Sequence, residues 1–464
     1  MTPSAWEYNA MMISRLGRKG RFVLIVGMCL GAGALLGGSA FAAPVTTRPP
    51  AAKAAPVQRH LVISVTSLGK ASPNFRPDAY TVSPDCSRVA YRGSKASPDQ
   101  PGVLLWTQVL DGKPCDDYFQ QIEKPIFSAN SKHMAFIGRN GDGAAAVRDD
   151  VRGLKLDSVG GLTLSADGSR WAYWGRLGKR KLVVLDGEAQ TDYDDIRADS
   201  IAIAPDNATV AYFAKRGKYW FLVMNGKEGK PYDDFVGAPA FSPDGRHLAC
   251  YAVRGAGTML LYDGMESRPC DGAFGSPIFS PNGTRLACIA SRINSWELVI
   301  NGKGAKGAAG RIYGVVFSPD STRWTCLTEA ARGVSVVVDG NDGAPVDGAS
   351  DLMFTPDSKH VVYVAFRGEK SLIMVDAQVT GSGSSVVPGS LSCSPDGRSL
   401  SYYVRRDQQF FLAVSGIESD QGFPAMLSAR PSYDAQGQVV AVALNAGEIL
   451  SVRVNLAGAW WVAR

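Results

Sequence analysis

The sequence predicts an all-β protein, a β-propeller of about ten four-stranded antiparallel blades, and three observations carry that expectation. A stretch of Ser-Pro-Asp-Gly character recurs ten times at a near-constant period, a continuous apolar strand follows nearly every copy, and an Asp-Gly or Asn-Gly pair closes most units. A unit of about 40 residues with four short strands cannot bury its own faces, so copies must stack, and a ring of stacked four-stranded sheets is a propeller.

The turn anchors are Ser83, Ser128, Ser165, Ala204, Ser242, Ser280, Ser318, Thr355, Ser394 and, degenerately, Ser432, with spacings of 45, 37, 39, 38, 38, 38, 37, 39 and 38. Two residues on stands a short acid or its amide, from Asp85 and Asn130 through Asp244 and Asn282 to Asp396 and Asp434. Proline presets φ for a type I turn and an Asx side chain bonds nearby backbone, so these acids read as turn makers.

The strand leaving the turn begins six residues after the anchor with a large apolar residue, as at Val89, Trp171 and Leu248. A small residue follows (Ala90, Ala135, Ala172, Ala211, Ala249, Ala287, Thr325), then an aromatic or cysteine, as at Tyr91, Phe136 and Cys250. Apolar residues without alternation mean that both faces of the sheet are covered, and the small residue lets a neighbouring sheet approach.

The hairpin residue stands 21 positions after the anchor at Asp149, Asp186, Asn225, Asp263, Asn301, Asp339, Asp376 and Ser415, and glycine follows six of these eight. Asp-Gly between apolar strands signals a type I′ turn. Each unit therefore supplies one strand into each of two turns and one out. The even spacing, without a linker between copies, favours one ring over two smaller propellers. Glu448–Val454 and Ala459–Val462 are candidate last strands, and Leu61–Val65 is the candidate to supply a missing opening strand.

Repeats such as Ile278-Phe279-Ser280-Pro281-Asn282-Gly283-Thr284-Arg285-Leu286-Ala287 resemble the TolB-like, WD-repeat-like units of bacterial envelope proteins over roughly residues 75–445. The resemblance implies a propeller with a binding role and no catalytic residues in the repeat itself. The Gly-His and Trp-Asp dipeptides of true WD repeats are absent.

Ahead of the repeats, residues 1–21 end in a basic cluster, an apolar run covers 22–36, and Ala40-Phe41-Ala42 supplies small residues at a signal-peptidase site. Residues 1–42 are thus expected to be a signal peptide, 43–59 a Pro/Ala-rich linker and 60–464 the propeller. The expected location is periplasmic or secreted. Inner-membrane anchoring is the alternative if the apolar segment is retained, since 22–43 approaches the roughly 20 residues that span a bilayer. The formal charge is +6, of which +3 lies in the signal (Arg15, Arg18, Lys19 and Arg21 against Glu7), and the remaining +3 gives no reason to expect nucleic acid.

Candidate chemistry is sparse. His133, His247 and His360 all stand five residues after their anchors, where other copies carry Arg88, Arg170, Arg285 and Arg323, so they belong to different blades and no metal site is expected. Seven cysteines remain beyond Cys29; Cys250, Cys288 and Cys326 share a core strand position and Cys115 and Cys270 another repeat position, so mostly unpaired, buried thiols are expected. Neither a Gly-x-Ser-x-Gly elbow nor a phosphate-binding Gly-x-x-x-x-Gly-Lys-Ser/Thr loop is present, and no cofactor is called for.

What survives is a constellation of charge on loops. The hairpins after each second strand carry Arg176, Arg180, Arg216 and Arg254, and the connections between blades carry acids including Asp194 and Asp233. In a four-stranded meander both loop sets emerge on one face, where such residues would dock a protein or envelope glycan. Mutual pairing that keeps a large ring soluble is the competing account. The expected function is a non-enzymatic binding or scaffolding propeller. The alternative is a glycan-active lyase or hydrolase with its site in the channel, which needs off-pattern polar residues gathered at one end; Glu123, Glu297, Glu329, Trp296 and the insertion 92–102 are the candidates.

Overall fold

The hairpin chemistry appears directly in the backbone. Asp186 and Gly187 both take positive φ (53° and 92°), as do Asp263 and Gly264 (48° and 78°) and Asp339 and Gly340 (50° and 89°), which is the type I′ geometry. Glycine could fill the first position without strain, but the acid side chain does more. Oδ1 of Asp186 accepts the N–H of Trp171 at 3.0 Å, and Oδ1 of Asp263 accepts that of Leu248 at 2.9 Å, so each hairpin fastens the start of its blade's second strand.

The anchor turns close in a similar way. In blade after blade the anchor hydroxyl donates to the turn acid and accepts the N–H five residues on: Ser318 Oγ lies 2.6 Å from Asp320 Oδ1 and 2.9 Å from the Arg323 nitrogen. The same acid oxygen takes the Thr322 N–H at 3.0 Å. Ser318 is fully buried, so its hydroxyl needs both partners.

This computed structural model describes residues 61, 63–71, 79–293, 295–383 and 385–454, and within them ten antiparallel sheets follow the order of the repeats. Blades 1 to 9 occupy residues 80–114, 121–152, 158–193, 195–232, 234–266, 272–308, 312–342, 348–383 and 392–418, each a meander from an innermost to an outermost strand. Blade 10 opens with two short inner segments, Ala425–Met426 and Ser432–Tyr433, followed by Val439–Asn445 and Glu448–Val454. The expected signal peptide, linker and strand at 459–462 lie outside the described residues.

Ile63–Lys70 completes blade 10, pairing antiparallel with Glu448–Val454 from Ile63 opposite Val454 to Lys70 opposite Glu448. This corrects the expectation of an opening strand. Ala425–Met426 and Ser432–Tyr433 already hold the inner edge of Val439–Asn445, so the free edge left for the N-terminal segment is the outer one. Blade 10 packs on one side against blade 9, through Val439, Ala441 and Tyr403, and on the other against blade 1, through Val442, Leu444 and Tyr80. Blade 5 meets blade 6 through Tyr251 and Cys288. The ten blades therefore form one ring rather than two.

Packing between sheets depends on the small residue of each second strand: Ala90, Ala135, Ala172, Ala211, Ala249 and Thr325 are fully buried. The anchor turns and the Asp-Gly hairpins project from one face of the ring, the turn face. The hairpins between second and third strands and the connections between blades project from the other, the loop face.

Candidate loop-face site

Four acids at blade connections cap the hairpin of the blade they enter. Oδ2 of Asp194 accepts the N–H of Gly217 at 2.6 Å, Oδ2 of Asp233 that of Gly255 at 2.7 Å, and Asp157 and Asp347 serve Gly178 and Gly368 in the same way at 2.7 Å. These glycines have φ between 57° and 61°, the left-handed conformation that turns the chain there. The recurring acid is thus a shaped part of the loop face, and in Asp194 the other oxygen takes Arg180.

The arginines are braced by the outermost strands of their own blades. Arg216 Nη2 lies 2.8 Å from Glu228 Oε1 and its guanidinium sits over the Tyr193 ring, 5.0 Å from the centroid. One blade on, Arg254 grips both oxygens of Glu266 at 3.1 and 3.2 Å and lies 4.8 Å over the Tyr232 ring. Tyr232 Oη donates to Glu266 Oε1 at 2.8 Å, joining blade 4 to blade 5. Those partners hold the Glu266 carboxyl down to about 2, with the Tyr232 hydrogen bond the largest cause, followed by Arg254; desolvation, then the Glu266 hydrogen bond, pushes the Tyr232 phenol up to about 12. Arg180 reaches Asp192 Oδ2 at 2.8 Å and also bonds Asp194. Arg176 is exposed and has no ion pair among the described residues.

Between blades 4 and 5 the two arrangements leave an open groove of about 340 Å³, lined by Tyr219, Lys230, Pro231, Tyr232, Asp233 and Arg254. Two of the six sequence candidates, Asp233 and Arg254, line it; Asp194, Arg216 and Arg180 belong to the neighbouring arrangement, and Arg176 stands apart. Tyr219, Lys230, Tyr232 and Glu266 were missed by sequence reasoning. A signal for the glutamates existed: Arg216–Glu228, Arg254–Glu266 and Arg406–Glu418 share a separation of twelve residues. The arrangement offers aromatic surface and fixed charges of both signs, which suits recognition of a polar partner.

The other candidates do not converge. His133 Nδ1 lies 2.6 Å from Asp149 and His247 Nδ1 2.7 Å from Asp263, with His360 bonded to Asp376, so each histidine stays within its own blade. Among the described residues no group of three His, Cys, Asp or Glu is placed to hold a metal. All seven cysteines of the described region are unpaired, and burial pushes the Cys250 and Cys326 thiols up to about 12. Glu123 pairs with Arg139 in blade 2, Glu297 with Arg292 at 3.2 Å in blade 6, and Glu329 lies in blade 7. The 92–102 insertion lengthens the hairpin between Val89–Ala96 and Leu104–Leu110 of blade 1.

No protein-family model matches the chain, and no curated protein matches its sequence. Among solved structures, the chain is similar to a eukaryotic initiation factor (12% identity, 72% of this chain and 96% of that one, TM-score 0.45). Other matches are the Dos1 propeller (10% identity, 66% and 92%, TM-score 0.34) and TolB from Acinetobacter baumannii (13% identity, 64% and 79%, TM-score 0.26).

Proposed function

We propose that this chain is an exported, non-enzymatic binding propeller of the cell envelope, and that its loop face engages a polar or anionic protein or glycan partner. The observation that carries this reading is the groove between blades 4 and 5. There Tyr219 is 37% exposed and the Lys230 side chain 66% exposed, beside a Tyr232 and Arg254 whose positions Glu266 fixes. A rigid aromatic and guanidinium surface costs little entropy on binding, while the exposed Lys230 ammonium, 3.5 Å from Glu266 Oε1, adds a second positive charge at the edge of the groove.

The test places a photo-crosslinking residue at Tyr219 on the loop face and, in a second variant, at Lys359 on the turn face, in cells that export the chain. A covalent protein or glycan adduct from Tyr219, weakened by Lys230→Glu and lacking from Lys359, is expected. Adducts from Lys359 alone, or none from Tyr219, overturn the reading.

A further inference from the structure

A second cavity, of about 450 Å³, lies at the turn-face mouth of the channel that the innermost strands surround. Its wall comes from five consecutive blades, 7 to 10 and 1. The turn prolines Pro319, Pro356 and Pro84 form the rim, and Met353, Phe354 and Tyr433 contribute apolar and aromatic surface.

The one charged residue of this wall is Arg430. It stands two residues before Ser432–Tyr433, which pair with Val440 and Val439 as Ile126–Phe127 pair with Ala135 and Met134 and Met353–Phe354 with Val362 and Val361, so its counterparts include Lys124 of blade 2 and Asp351 of blade 8. Three blades in ten carry a charge there; Asp351 accepts the Gly389 and Leu391 N–H groups, and of the three only Arg430 lines the cavity. The ring does not use it structurally: Arg430 is exposed, and among the described residues its guanidinium has no ion pair or hydrogen bond. The turn acids of blades 8, 9 and 10 are already engaged. Asp357 takes Thr355 Oγ1 and the Lys359 N–H, Asp396 takes Ser394 Oγ and the Arg398 N–H, and Asp434 takes Arg453 at 3.1 Å. The cavity wall thus holds one charged side chain, and among the described residues no group of the ring satisfies it.

We infer that this mouth is a binding site for a small organic monoanion, a carboxylate or sulfonate on a hydrocarbon body. The volume falls within the roughly 300–1,000 Å³ of small-molecule sites, the wall is mostly apolar, and one planar guanidinium matches one two-oxygen anionic group. The site is distinct from the loop-face groove and stands or falls separately from the reading given for it.

Naphthalene-2-sulfonate serves as the probe, titrated calorimetrically into the purified full-length chain, with uncharged 2-naphthol as comparator. Measurable sulfonate binding is expected, weakened about tenfold or more by Arg430→Gln, partly retained by Arg430→Lys, and unchanged by Lys124→Gln, an exposed lysine of blade 2. The melting temperature of Arg430→Gln should match the parent, because the side chain is exposed. Undetectable sulfonate binding, equal affinity in Arg430→Gln, equal loss in Lys124→Gln, or 2-naphthol binding as tightly as the sulfonate would each overturn the inference.

Discussion

The two faces of the ring use arginine for different ends. On the turn face, one position serves blade after blade and reaches backbone: Nη1 of Arg88 bonds the Lys132 carbonyl at 2.8 Å, Arg170 that of Asn207 at 2.6 Å, and Arg285 that of Thr322 at 2.7 Å, each on the next blade. On the loop face, Arg216, Arg254 and Arg406 bond glutamates of their own blades. A guanidinium satisfying a neighbour's carbonyl is part of the ring's construction. One paired with a carboxylate of its own blade at the surface holds no neighbouring blade in place, so variation is cheaper there and recognition can evolve.

The histidines sharpen this contrast. His133 keeps the bond to its own Asp149 and packs against Gly168 of blade 3 without a hydrogen bond to it; Arg148 supplies that bond instead, reaching the Ser169 carbonyl at 2.8 Å. The inter-blade contact is thus restored from another strand when the usual residue is replaced.

The largest effect should come from the closing strand, on which both faces depend. Deleting 60–70 leaves the outer edge of Glu448–Val454 unpaired along seven residue pairs, and at about 0.5–1.5 kcal/mol net per hydrogen bond the loss should be about 3 kcal/mol or more. Urea denaturation followed by circular dichroism measures it; an unchanged midpoint would mean that the ring is held otherwise.

Next in size are changes at the turns. Ser318→Ala removes a buried acceptor from the Arg323 N–H and should cost about 1–3 kcal/mol. Blade 4 offers the reverse experiment, since Ala204 stands where a hydroxyl belongs: Ala204→Ser should stabilise by about 1 kcal/mol through bonds to Asp206 and the Thr209 N–H. Arg323→Ala should cost about 1–2 kcal/mol, with Arg323→His in between because it keeps the Asp339 bond and loses the reach to blade 8. Arg254→Ala, tested alongside, should leave the melting temperature within error, because its ion pair is half exposed. Equal losses for Arg323→Ala and Arg254→Ala would erase the distinction between the faces.

How much of this was legible follows from where the repeat speaks. The anchors, the small strand residue and the Asp-Gly pair fixed blade number and both turn types, because each is a local backbone requirement that recurs. The place of Ile63–Lys70 was half legible: the segment was identifiable, but its edge depended on Ala425–Met426, two residues without a pattern of their own. The groove was less legible still. Tyr232 and Glu266 meet across two blades, a contact that depends on ring geometry, and Arg430 gained meaning from the cavity that it lines.

The smallest and most selective effect concerns acid. Asp320, Asp244 and Asp396 are held below the ordinary carboxylate value of 3.8; for Asp320, at about 2, the Ser318 hydroxyl is the first cause and the Thr322 N–H the second, while for Asp244 and Asp396 the anchor hydroxyl again leads. A carboxyl whose folded value is depressed binds protons more readily when unfolded, so its contribution is complete above 3.8 and fades as pH falls from there towards about 2. Asn130 and Asn282 show that an amide oxygen fills the same role without titrating, accepting the anchor hydroxyl at 2.6 and 2.9 Å. Asp320→Asn should therefore be close to neutral at pH 7 and narrow the fall in stability between pH 4 and pH 2.5. Glu266→Gln on the loop face should also lessen acid sensitivity, but at pH 7 it gives up the charge that braces Arg254 and Tyr232, so partner binding should weaken while the fold persists. Denaturant midpoints at both pH values separate the cases. A turn-face amide that lowered stability at pH 7 as much as Ser318→Ala would show that the charge of the acid, rather than its oxygen, holds the turn.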